Sequence, residues 1–264
     1  MVRSACDGCR NGEGYSASIS MAFQPILDMD KKVVFAQEAL VRGADGVGAY
    51  QVLSTVDDKN RYDFDQKCRV TAIEKAKALN LQTDNALLSI NFLPNAVYEP
   101  RACIRSTLLA ATQHQFPVKN IMFEFNESEY IETTHILNIL RSYHAMGFTT
   151  AIDDFGAGYA GLDLITRFQP DFVKIDMSLI RDIDQNREKR IVLKHTLSML
   201  RDLGSTPICE GIETPEEYAV LRDMGVNLMQ GYLLGRPVFE GLAAPVFDPE
   251  SLQTPDKPEI SRAS

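Results

Sequence analysis

The 264-residue sequence predicts an α/β fold, a TIM-like (β/α)8 barrel with an antiparallel strand at its start. Three observations carry that reading. Eight short apolar runs alternate with longer stretches whose apolar residues recur every three or four positions. The length is close to the ~250 residues of one such barrel. Hydrophobic residues at 45% and charged residues at 24% match an ordinary folded domain, which excludes a disordered, collagen-like or coiled-coil chain. A doubly wound open sheet is the alternative arrangement of the same elements.

The first strand-like runs are MAFQPILDM (21–29) and VVFAQEALV (33–41). Only Asp30 to Lys32 join them, too few residues for a parallel crossover, so this pair is expected to be antiparallel. The runs ALLSINFL, NIMFEFNE, TTAIDDFG, FVKIDM, TPICEGI and NLMQGYLLG follow. Helical spacing covers 64–79, 131–146, 191–203 and 215–224. Gly147, Gly204 and Gly225 fall just past three of these stretches, where glycine accepts the left-handed backbone that ends a helix. The barrel is thus assigned to 21–242. A Gly- and Ser-rich tail over 1–20 carries Cys6 and Cys9, and a Pro-rich tail over 243–264 is expected to be loosely ordered.

Lys plus Arg number 27 against 36 Asp plus Glu, a formal charge of −9, and no basic block occurs. Binding to long nucleic acid is disfavoured, whereas carboxylates that hold divalent ions can still hold a phosphate. No run approaches the ~18 apolar residues of a membrane span and the first twenty residues lack a signal-peptide core, so a cytoplasmic protein without membrane insertion is expected. Five cysteines, an odd number, argue against a secreted disulfide framework. The CxxC at Cys6 and Cys9 has three readings: a zinc site completed by Cys68, Cys103 or a partner, a redox pair, or two thiols on a mobile tail. Cys209 reads as a small core residue. His114, His135, His144 and His195 lie on helical stretches or their ends and are assigned no chemistry.

The unusual feature is a set of polar residues at the C-terminal ends of apolar strands. Glu38, Asn91, Glu124, Asp153, Asp154, Lys174, Glu210, Glu213 and Gln230 come from seven different runs. In a barrel the strand ends and following loops form the active-site face, so these groups would meet at one mouth. A lone strand-end Glu is usually a solvated rim residue, and Asp153–Asp154 alone could cap the helix that follows. Seven strands doing this together point elsewhere. Six of the nine are carboxylates, and like charges about 4 Å apart repel by about 4 kcal/mol at an effective dielectric of 20. Such a cluster needs cations or raised pKa values. Hard oxygen donors without His or Cys favour Mg²⁺ or Mn²⁺, and the adjacent Asp pair suggests two ions bridged by one carboxylate. A kinase reading of DFG fails, since no glycine-rich phosphate loop or catalytic HRD-like loop accompanies it.

The segments FQPI, EALVR, SINFLP, FEFNES, DDFGAGYA, FVKID, CEGIET and QGYLLGRP occur in the order found in the EAL domains, and over roughly Met21 to Phe239 the chain resembles that family of bacterial phosphodiesterases. The resemblance implies a barrel with one antiparallel strand and hydrolysis of cyclic di-GMP to linear pGpG. It implies two Mg²⁺ or Mn²⁺ ions, with Ca²⁺ inhibitory. Glu38, Asn91, Glu124, Asp153 and Asp154 then match the metal ligands, with Glu210 a ligand or water-activating carboxylate. Lys174 matches the lysine that contacts the attacking water or bound phosphate, and either Glu210 or Lys174 acts as base. Gln24, Arg42 and Gln230 match substrate contacts, Glu213 a supporting carboxylate, and Glu127 the anchor of the loop Phe155 to Ala160. Arg42 lies four residues after Glu38, hence on the same strand face, and its planar fork suits a phosphate.

Phe23, Gly43 and Asn126 stand where the family commonly has Tyr, Trp and Thr, and 44–60 lacks the usual HPxxG and PxxF elements. Too few residues precede Met21 for a sensory or cyclase domain, so the chain reads as a stand-alone member. A homodimer is expected by resemblance, with any sensing supplied by a separate partner. The alternatives are a non-catalytic cyclic di-GMP receptor or interaction module with a degenerate EAL domain, and a phosphodiesterase for other nucleotides.

Overall fold

The computed structural model describes residues 14–126, 133–157 and 161–249. Cys6, Cys9, Glu127, the end of the loop after Ala157 and residues 250–264 lie outside them.

β1 (Ile19–Asp28) and β2 (Val33–Gly43) run antiparallel, as the short joining turn requires. β3 (Leu87–Asn91), β4 (Ile121–Asn126), β5 (Thr149–Phe155), β6 (Phe172–Ile175), β7 (Thr206–Cys209) and β8 (Leu228–Met229) follow, each parallel to the one before. β8 returns to β1, and β1 is also bonded to β2, so the sheet closes. Closure removes both edges and excludes the doubly wound alternative. A short ninth strand, β9 (Val238–Phe239), pairs with Ala22 and Phe23 outside the barrel. Two residues are too few to carry a period, so nothing in the sequence announces it. Its position is fixed instead by Glu240, which accepts from Ser20 Oγ and Lys75 Nζ.

The packing reaches beyond 21–242. β1 starts at Ile19, and Tyr15 packs edge-on against Phe64 with ring centroids 5.0 Å apart. Past residue 242, Val246 N donates to the Leu234 carbonyl and Phe247 rests against the core.

Nine helices occur among the described residues: α1 (Ala49–Leu53), α2 (Arg61–Ala78), α3 (Pro100–Cys103), α4 (Arg105–Gln113), α5 (Thr133–Ala145), α6 (Gly161–Arg167), α7 (Met177–Ile180), α8 (Arg187–Asp202) and α9 (Pro215–Asp223). The four predicted from spacing are α2, α5, α8 and α9; α4, as long as α9, is not among them. α8 buries Leu193, Leu197 and Leu200 on one face and begins where the Asn186 side chain accepts from Lys189 N. α9 opens with Pro215 in its first turn and a capping box between Thr214 and Glu217. Gly147, Gly204 and Gly225 have φ of +88°, +81° and +74°, the left-handed exits expected of them.

Strand alternation sorts the barrel interior into two layers. Ile26, Ala36, Met122, Ala151, Ile208 and Leu228 form an apolar cluster of their own, separate from the main core under the helices. Two residues along each strand from these lie Gln24, Glu38, Glu124, Asp153, Glu210 and Gln230. A period of two puts both sets on the inner face, so the barrel is plugged with hydrocarbon below and lined with polar groups above. Phe172, whose ring lies 5.1 Å from that of Phe35, precedes Lys174 by the same step.

The upper layer is closed by a tight approach of two loops. A Cβ placed on Gly231 would lie 2.1 Å from the Ile212 carbonyl oxygen and 2.4 Å from its nitrogen, and backbone cannot give way as a side chain can. Gly231→Ala is therefore expected to destabilise by about 3 kcal/mol or more, and to lower Tm by several degrees in a thermal melt. An unchanged melt would mean that the two loops are not held together.

Candidate metal centre

β2, β3, β4, β5, β6 and β7 each deliver side chains to the polar layer, and Lys174 of β6 stands at its centre. Its Nζ lies 2.6 Å from Glu210 Oε1, 2.8 Å from Glu124 Oε2, 3.1 Å from Asp153 Oδ1 and 3.4 Å from Glu38 Oε2. Lys174 and Glu124 are 1% and 0% exposed, so little water screens these contacts. Asn91 Nδ2 donates to Glu38 Oε1 at 2.9 Å, and Gln230 Nε2 donates to Glu38 Oε2 at 2.8 Å. Both amides thus orient Glu38.

Asp153 and Asp154 could not both face inward on a regular strand, because neighbours alternate. Between Ile152 and Phe155 the register of β5 with β6 shifts, and Asp154 adopts φ of +54°. This irregularity turns Asp154 back toward the mouth, a use of local strain that is common beside active sites. Asn126 holds the result by donating from Nδ2 to Asp154 Oδ2.

Charge and burial set the protonation of the cluster. Burial works against the Glu38 charge, but Lys174 and the Gln230 and Asn91 amides outweigh it and hold its carboxyl below the usual range. For Glu124, burial dominates, Lys174 opposes it, and the neighbouring Glu38 and Asp153 add to it, so its carboxyl is pushed up to about 8. Burial likewise raises Asp153 and Glu210, and it raises Asp154 with help from Asp153 and Asp176. Burial disfavours the Lys174 ammonium, yet Asp153, Glu124, Glu210 and Glu38 together raise its pKa well above the ordinary value.

Two carboxylate triads have ligand oxygens within 4.8 Å of one another: Glu38, Glu124 and Asp153, and Asp153, Asp154 and Glu210. They share Asp153. Five carboxylates face one ammonium, and Glu124 Oε1 is buried with no hydrogen-bond partner among the described residues. A hard-oxygen set with an unused buried oxygen fits divalent cations of the Mg²⁺, Mn²⁺ or Ca²⁺ kind.

The other sequence-selected residues surround this centre. Gln24 faces Glu38 across the β1–β2 pair, and its Nε2 donates to the Gly235 carbonyl at 3.1 Å. Arg42 is half-buried farther up β2, with Nη1 donating to the Val41 carbonyl. Glu213 accepts from Arg181 Nη1 at 2.8 Å and stays outside both triads. Asp176, two residues after Lys174, caps α7 by accepting from Ser178 N. One cavity of about 220 Å³ is lined by Gln24, Glu38, Glu210, Glu213 and Gln230 together with Met177 and Tyr232. A second, mostly apolar one of about 380 Å³ is lined by Met21, Ala39, Leu53, Phe64, Asp65 and Ala72, with Asn91 and Asn126 also against it, and by none of the triad carboxylates. Sequence reasoning did not select Met177, Tyr232 or Leu53. Apolar side chains at a site carry no chemical signature that separates them from core.

Fold and site together define an α/β barrel with an acidic, lysine-centred mouth. The family model of the EAL domain matches residues 15–237, and the chain belongs to the EAL domain family. It is similar to a stand-alone EAL protein of Vibrio cholerae O395 solved with bound cyclic di-GMP, at 48% identity and a TM-score of 0.84 over 89% of this chain and 99% of that one. The manganese and cyclic di-GMP complex of Klebsiella pneumoniae BlrP1 is 32% identical with a TM-score of 0.81, over 88% of this chain and 59% of that one. Among curated relatives, the cyclic di-GMP phosphodiesterase NbdA of Pseudomonas aeruginosa is 27% identical over 83% of this chain and 29% of its own length. The blue light- and temperature-regulated antirepressor BluF of Escherichia coli is 30% identical over 84% of this chain and 55% of its own. The chain thus spans about half or less of these two relatives. No described helix is long and apolar enough to cross a membrane.

The raised Glu124 carboxyl makes stability depend on pH once divalent ions are removed. Below its ordinary 4.5 the group is protonated in folded and unfolded chains alike; between 4.5 and about 8 only the unfolded chain releases the proton. Stability in EDTA is therefore expected to fall as pH rises through that window, with about 5 kcal/mol the share of Glu124 and the raised Asp153, Asp154 and Glu210 acting in the same direction. Melts from pH 5 to 8.5 should show the decline, and Glu124→Gln should reduce it. A flat profile in the wild type would contradict the assignment.

Proposed function

We propose that this chain is a metal-dependent phosphodiesterase that hydrolyses cyclic di-GMP to linear pGpG. The observation that carries the proposal is the pair of carboxylate triads sharing Asp153, with a cavity that Glu38 and Glu210 both line. Relatives named as cyclic di-GMP phosphodiesterases and neighbours holding that nucleotide support the substrate.

In this reading Glu38, Glu124 and Asp153, with the side-chain carbonyl oxygen of Asn91, would hold one ion, and Asp153, Asp154 and Glu210 would hold the second. When bound, such ions neutralise phosphate charge and lower the pKa of water toward neutrality. The remaining work belongs to side chains. Lys174, with Nζ 2.6 Å from Glu210 Oε1, would contact the attacking water or a phosphate oxygen. Glu210 would take the proton of the attacking water; the water oxygen would bond to phosphorus as one ring P–O bond breaks, and the departing ribose oxygen would pick up a proton from solvent and leave as a hydroxyl. Arg42 and Gln24 orient the nucleotide, Gln230 keeps Glu38 in place, and Glu213 braces the loop after β7 through Arg181. Glu127 is assigned the loop-anchoring role implied by its motif. Mg²⁺ or Mn²⁺ is the proposed pair, with Ca²⁺ inhibitory; a homodimer and a cytoplasmic setting are expected from the family resemblance.

BluF, named as an antirepressor, keeps the receptor reading in view. Nucleotide binding alone needs no twin triads, and all five carboxylates are present, which supports hydrolysis. Chromatography of cyclic di-GMP incubated with the protein tests this. Conversion to pGpG with Mg²⁺ or Mn²⁺, blocked by EDTA, is expected, and Glu38→Ala or Asp153→Asn should lower kcat by 10³-fold or more in a folded protein. Binding without turnover would establish the receptor reading instead.

A further inference from the structure

A second buried charge pair lies beside the site. Asp65 and Arg69, one turn apart on α2, are 2% and 0% exposed, and Arg69 Nη2 lies 2.6 Å from Asp65 Oδ2. Burial opposes both charges: Asp65 outweighs it for the Arg69 guanidinium, whereas at Asp65 burial outweighs Arg69 and raises the carboxyl. For stability alone such pairs are poor devices, since well-packed apolar residues of similar volume often do as well or better. What the pair touches suggests another use.

Asp65 Oδ1 accepts from Leu93 N at 2.9 Å, two residues past Asn91. The Arg69 guanidinium carbon sits 5.5, 5.2 and 5.8 Å from the ring centroids of Phe92, Phe123 and Tyr143, and its Nη1 donates to Tyr143 Oη at 2.9 Å. Phe92 follows Asn91 directly, and Phe123 directly precedes Glu124. The two strands are also stitched there, where Phe92 N donates to the Glu124 carbonyl at 3.0 Å. The pair therefore grips the chain next to two members of the acidic centre without touching either.

We propose that Asp65 and Arg69 are positioning residues that aim Asn91 and Glu124 at a divalent ion, an inference that rests on the ion-binding reading above. Directional contacts are suited to that task. A carboxylate fixes the Leu93 N–H at a set distance, and a planar cation fixes the tilt of the Phe92 and Phe123 rings, whereas an apolar cluster leaves both free to slide. Groups that orient metal ligands from behind are typically worth 10- to 100-fold in affinity.

The test is Mn²⁺ binding by calorimetry without nucleotide, with circular-dichroism melts as the fold control and kcat and KM measured at saturating Mn²⁺. The double variant Asp65→Leu/Arg69→Met removes both charges together, so neither is left buried and unpaired. It is expected to melt near the wild-type temperature, to bind Mn²⁺ about 10- to 100-fold more weakly, and to lose kcat with KM changed less than about twofold. Wild-type Mn²⁺ affinity in the folded double variant would overturn the proposal. If that variant does not fold, Tyr143→Phe decides, because it removes only the hydroxyl that steadies Arg69. A threefold or greater weakening supports positioning, and an unchanged affinity overturns it. A wild type that binds Mn²⁺ but leaves cyclic di-GMP intact would remove the proposed activity and leave this inference standing; one that binds no Mn²⁺ removes both.

Discussion

Lys174 and the four carboxylates around it are the interaction on which the site depends. Nζ contacts all four within 3.4 Å, in a place almost free of water. Two like charges at such spacing repel by several kcal/mol even at an effective dielectric of 20, and one ammonium cannot offset five carboxylates. The chain meets the remainder partly by protonation, as the raised Glu124, Asp153 and Glu210 carboxyls show. Such a site is electrostatically incomplete by construction, and a divalent cation is the economical way to complete it.

The scaffold makes this tolerable by dividing the barrel interior. Hydrocarbon from six strands plugs the lower half, which confines the polar groups to one layer and gives them a rigid floor. Closure of the sheet then sets the distances, because each strand carries one inward residue at that height. The two departures from regularity are local. The shifted register of β5 supplies a second aspartate where alternation allows one, and the close loop contact at Gly231 draws the ends of β7 and β8 together.

Much of this was legible in the sequence. The eight apolar runs became eight barrel strands, and the three-residue link between the first two dictated their antiparallel pairing. Polar residues at the strand ends gave the acidic mouth, since a period of two is a strong signal and a charge inside it is conspicuous. Other features were silent for physical reasons. α1, α3 and α7 are too short to show a period, and β9 is held by Glu240 rather than by its own pattern. Asp153–Asp154 read as a bridging pair, but only the backbone shows that a positive φ is what lets both turn inward. Asp65 and Arg69 sat four apart on a helix and resembled any surface pair; their burial among Phe92, Phe123 and Tyr143 is a tertiary fact. Arg42, matched to a substrate contact, and Glu213, matched to a supporting carboxylate, are engaged with Val41 and Arg181.

The proposed function requires that the layer can hold two ions sharing Asp153 as a ligand. Anomalous diffraction from a crystal equilibrated with Mn²⁺ tests it most directly. The account predicts two peaks, one against Glu38, Glu124 and Asp153 and one against Asp153, Asp154 and Glu210. A single peak, or peaks that do not share Asp153, would contradict it.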